Sequence, residues 1–85
     1  MKDYRKLIIV VDVGIKDLSP YKATALVCQI NESMKQSFDD SVKILCFPNR
    51  DTRYVDVKLL NTNPRISVKE LERVIDRAEE TIKKL

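Results

Sequence analysis

Carboxylates, basic side chains and two thiols supply most of the reactive chemistry in this 85-residue sequence, which contains no histidine. Proton transfer and nucleophilic attack need a base placed beside an activated hydroxyl or thiol, and no Ser or Cys here has such a neighbour. A phosphate-cradling loop needs several glycines, and Gly14 is the only one. The best remaining candidates are carboxylates. Asp12 stands at the carboxyl end of an apolar run, where α/β proteins often place ligand groups, and with Asp51 or Asp56 it would suit a hard metal ion. Asp12 ahead of Gly14 is equally an ordinary strand exit. We therefore expect no catalytic residue, no metal, no cofactor and a non-enzymatic role.

Arg50, Arg53, Lys58 and Arg65 follow one another closely, with Phe47 and Tyr54 beside them, a mixture able to hold phosphate and stack bases. They are the residues of an alternative reading, a small nucleic-acid-binding regulatory domain. Asp51 and Asp56 lie in the same segment and lower its positive potential. The whole chain balances 16 Lys and Arg against 13 Asp and Glu, a net +3 that is too small to argue for nucleic acid by itself. Cys28 and Cys46 fall inside apolar segments with no His or Cys at metal-ligand spacing. They read as buried free thiols of a reducing compartment.

These residues must be positioned by a single domain, residues 1–85, of a size at which only about 60% of the unfolded chain's surface is buried on folding. Leu7 to Val11 is an unbroken aliphatic run, giving a first strand at 5–13. It is far shorter than the ~20 residues of a membrane helix or than a signal-peptide core, so a cytoplasmic protein without membrane attachment is expected. Ser19-Pro20 begins a helix to about residue 37, with Ala23, Leu26, Val27, Ile30 and Met34 on one face. A second strand at 42–47 and a third at 53–60 flank Pro48-Asn49-Arg50-Asp51, which has turn chemistry. So short a link predicts an antiparallel pair, while the first and second strands, joined through a helix, should be parallel. Ser67 and Glu70 form a capping box, with Ile66 and Leu71 as a hydrophobic staple, ahead of a helix at 68–84.

The order β-α-β-β-α gives an α/β (α+β) fold: a three-stranded mixed sheet with two helices packed on one face. Alternation sends Lys43, Leu45, Phe47, Tyr54, Asp56, Lys58 and Leu60 to the other face, and the first strand is apolar on both sides. A doubly apolar strand belongs between two covered layers, and no third helix is available as the second cover. Ile8, Val10, Leu45, Phe47 and Tyr54 are the expected interface, covered by a second copy in a homo-oligomer (dimer) or by a partner protein. The competing arrangement puts one helix on each face and leaves nothing over.

Asp12-Val13-Gly14 and then Leu18-Ser19-Pro20-Tyr21-Lys22-Ala23 resemble the D-V-G-N-L-P-x-K-A segment of tailed-phage portal proteins and of small phage-encoded proteins. Phe47 to Val57 is similar in order and composition to a second portal segment. Ile15-Lys16-Asp17 replaces the asparagine and lengthens the turn, and the chain has no room for the portal's ring-forming domains. The resemblance implies a small phage-type protein, working in a bacterial or phage-infected host cell by symmetric assembly rather than catalysis.

Overall fold

The structure, a computed structural model, describes residues 4–85. The elements run β1 (Leu7–Gly14), α1 (Pro20–Ser37), β2 (Val42–Asn49), β3 (Val55–Asn61) and α2 (Val68–Lys83). This is the expected β-α-β-β-α order and α+β class.

Both helices begin where the sequence places a cap. The Ser19 hydroxyl accepts a hydrogen bond from the Lys22 N–H, and the Ser67 hydroxyl from the Glu70 N–H, each at 3.3 Å. Pro20 and Val68 then open the helices, with Pro20 at a position whose N–H would have had no helical partner. Apolar residues three and four apart next give each helix one stripe, and Ala23, Ile30 and Met34 on α1 and Val74 and Ala78 on α2 are buried.

The sheet has the order β2-β1-β3, with β1 parallel to β2 and antiparallel to β3. The expected β2–β3 hairpin does not form. The two strands run in opposite directions, but β1 lies between them. The aliphatic run of β1 takes the centre, where it is flanked on both edges, and Pro48, which cannot donate to a ladder, is accommodated near the end of edge strand β2. That strand therefore continues through Pro48 to Asn49 instead of turning there.

Leu7, Ile9, Val11 and Val13 are wholly buried, whereas Ile8, Val10 and Asp12 between them are only partly covered. The cross-strand register sets Val42, Ile44 and Cys46 and then Val55, Val57 and Leu59 beside the buried set, and all of these pack with the helix stripes in one core. α1 packs on β2, α2 on β3, and the helices on each other. Ser37 and Thr81 join them through a hydroxyl–hydroxyl hydrogen bond of 2.9 Å, and the Arg77 guanidinium lies 5.1 Å from the centre of the Phe38 ring. Both helices thus lie on one side of the sheet.

Candidate interaction surface

The face away from the helices is a three-by-three array fixed by the ladder. Its rows are Lys43–Ile8–Leu60, Leu45–Val10–Lys58 and Phe47–Asp12–Asp56. Five of the nine side chains are apolar. Phe47 is 52% exposed and Leu60 54%, while Ile8, Val10 and Leu45 are half-buried by their neighbours alone. Such large apolar groups in water are what an interface would remove from it.

The charged members are arranged with the same regularity. Lys43 and Asp56 occupy opposite corners, and Asp12 and Lys58 adjoin Val10 along the strand and across it. Asp12 and Asp56 are direct cross-strand partners, a like-charge pairing that costs a sheet stability. The Asp12 carboxylate accepts a hydrogen bond from the Asn49 side-chain amide at 3.1 Å. Among the described residues Lys43 and Asp56 have no ion-pair partner.

Four of the five expected interface residues, Ile8, Val10, Leu45 and Phe47, fall within the array. Tyr54 does not. It precedes β3 in the link that crosses the end of β1, 78% exposed, with its carbonyl accepting from the Gly14 N–H. Leu60 takes the fifth apolar place beside Ile8. Strand alternation alone puts Leu60 on this face, but only the central position of β1 brings it against Ile8.

The basic quartet is brought together only in part: Arg50 and Lys58 border one hollow of the open face with Phe47, Asp12 and Asp51, while Arg53 and Arg65 do not line it. Arg50 and Arg53 lie in the link at the carboxyl end of β1, and the Arg53 guanidinium forms an ion pair with the Asp17 carboxylate. Lys58 is in the middle row of the open face. Arg65 follows β3, whose antiparallel course carries it past Leu7 to the opposite end of the sheet, about 20 Å away. Asp12 and Asp56 stand side by side across the β1–β3 ladder, but among the described residues no three His, Cys, Asp or Glu side chains could hold a metal ion.

The thiols are free but not alike, and this corrects the expectation that both are buried. Cys28 is exposed on α1, one position past the buried stripe, while Cys46 is half-buried on the helix side of β2. Burial pushes the Cys46 thiol pKa up, opposed by the nearby Lys35 ammonium. A cleft of about 470 Å³ opens where β1 and β2 end and α1 begins, lined in part by Lys16, Leu18, Val27, Cys28 and Arg50. Leu18, Pro20 and Ala23, at and just before the start of α1, also line it.

No protein-family model, curated protein or solved structure matches this chain. The surface itself carries the functional argument. Among the described residues no helix is long and apolar enough to cross a membrane.

Proposed function

We propose that this protein is a non-enzymatic interaction protein that pairs with a second copy of itself through the open face of its sheet. The observation that carries the reading is the five-residue apolar patch of Ile8, Val10, Leu45, Phe47 and Leu60 on the side of the sheet without helices. A second copy is the favoured occupant because the face is self-complementary in charge, with Lys43 at one corner and Asp56 at the other. The portal-like segment also supports an assembly role of phage type in the cytoplasm.

A face three strands wide is about 10 Å across between its outer strands. Two such faces bury an area near the low end of specific interfaces, about 1,000 Å² in total. The dimer is therefore a reversible one, with a dissociation constant of about micromolar order. The nucleic-acid alternative has less support, since only Arg50 and Lys58 of its four basic residues share one hollow, and Asp12 and Asp51 line that hollow with them.

Light scattering across a concentration series tests the proposal. The wild-type mass should rise from monomer to dimer with concentration, and Leu45→Asp should hold the protein monomeric with an unchanged helical circular-dichroism spectrum. A wild-type mass that stays monomeric at millimolar concentration contradicts it.

A further inference from the structure

The positions of the four charges within the nine-residue array select one way for two copies to meet. A symmetric face-to-face pair has its two-fold axis in the plane between the sheets. Four axes through the central Val10 bring the array onto itself. An axis along the strands sets Asp12 against its own copy and Leu45 against Lys58. An axis across the strands sets Lys58 against Lys58, with Ile8 and Leu60 facing carboxylates. An axis along the Lys43–Val10–Asp56 diagonal stacks Lys43 on Lys43 and Asp56 on Asp56. Each of these three places like charges directly opposite one another, an arrangement that suppresses association.

The fourth axis runs along the other diagonal, Leu60–Val10–Phe47. Here the three apolar side chains each meet their own copy, and Lys43 meets the partner subunit's Asp56 at both ends of the contact. The aliphatic stem of Lys58 lies over Ile8, with its ammonium free to reach the open end of the sheet. Asp12 comes over the outer edge of β2, beside Leu45. An array with strands about 4.8 Å apart and same-face residues about 6.7 Å apart along each strand superposes best this way when the two sets of strands cross at about 90°. That is one of the two preferred angles for packed sheets.

We infer that two copies of this chain pack their open faces orthogonally about the Leu60–Val10–Phe47 diagonal, locked by reciprocal ion pairs between Lys43 and the partner subunit's Asp56. The inference rests on the self-pairing reading above and specifies its geometry. It also gives the Asp12–Asp56 repulsion a counter-charge, because the incoming Lys43 ammonium arrives at the corner where these two carboxylates stand together.

The test uses Lys43→Glu and Asp56→Lys, both exposed on the edge strands of the sheet. In a homodimer of either variant, like charges face each other at both ends. Sedimentation equilibrium at low salt should show each dimer weakened about tenfold. In a mixture of the two variants, the glutamate introduced at position 43 of one chain faces the lysine introduced at position 56 of the other. At the opposite end the unaltered Lys43 and Asp56 still meet. The mixture should therefore recover wild-type affinity as a heterodimer, and the gain should shrink as salt is raised. Two weakened variants whose mixture gains nothing overturn the orthogonal arrangement, as does the absence of any weakening. Self-pairing itself then stands if Leu45→Asp still dissociates the wild-type dimer. A wild-type chain that is monomeric throughout removes both.

Discussion

The backbone N–H of Gly14 donates a 2.8 Å hydrogen bond to the carbonyl of Tyr54, where the link from β2 to β3 passes over the carboxyl end of β1. A Cβ at position 14 would lie 2.4 Å from the Tyr54 carbonyl oxygen and 2.5 Å from its nitrogen. The only glycine of the chain therefore serves close approach of backbone to backbone, and its φ is not positive. The bonds from Ile15 N–H to the Asn49 carbonyl and from Lys16 N–H to the Thr52 carbonyl fasten the same crossing. This crossing places β1 in the centre of the sheet and exposes the array behind it.

Gly14→Ala should accordingly destabilise the fold by about 1–3 kcal/mol, since backbone cannot yield as a flexible side chain would. Urea unfolding followed by circular dichroism measures the loss. A variant as stable as the wild type would show that the crossing has room to spare.

Phe47→Ser and Leu60→Ser should each weaken the dimer by up to about thirtyfold, the loss typical of a buried anchor at an interface. Tyr54→Ser, outside the array, should leave it nearly unchanged. Sedimentation equilibrium on the three variants separates this patch from a general loss of surface hydrophobicity.

The two thiols should differ in reactivity. Cys28 is exposed, whereas burial holds Cys46 in its protonated, less nucleophilic form. A thiol reagent near neutral pH should label Cys28 first, as peptide mass mapping would show. A folded-state pKa raised above the ordinary value of 9.0 means that the native state keeps its proton longer than the unfolded chain does. The resulting contribution to stability is fully present below that ordinary value and is lost as pH rises through the folded-state one.

Ser67→Ala removes the hydroxyl that accepts the Glu70 N–H and should cost about 1 kcal/mol. Thermal unfolding should show the drop, and Ser67→Asp, which keeps an acceptor there, should largely restore stability.

The helices are the most legible part of the sequence. Their caps at Ser19 and Ser67 and their spaced apolar residues are local signals, and the structure begins both helices at the residues those caps dictate. The strand order is not legible in the same way, because the short link between β2 and β3 suggests a hairpin and nothing local announces that it crosses a third strand. The physical clue is the aliphatic run of β1, which is costly at an edge and suited to the centre.

The differences at the site follow from that one. Tyr54 reads as a strand residue by alternation, yet it lies in the crossing, and Leu60 joins the contact only because centring β1 puts it beside Ile8. Arg65 is close to Arg50 and Arg53 in sequence, while β3 carries it the length of the sheet away from them. Apolar neighbours along the chain make Cys28 look buried, but the helical phase turns it outward.

The most direct measurement is an isotope-filtered nuclear Overhauser experiment on a mixture of carbon-13-labelled and unlabelled protein at a concentration where the dimer predominates. Diagonal pairing through the open face should give cross-peaks between chains that connect the Val10 and Leu60 methyls and the Phe47 ring with their counterparts. Intermolecular cross-peaks confined to helix residues, or none from this face, would contradict it.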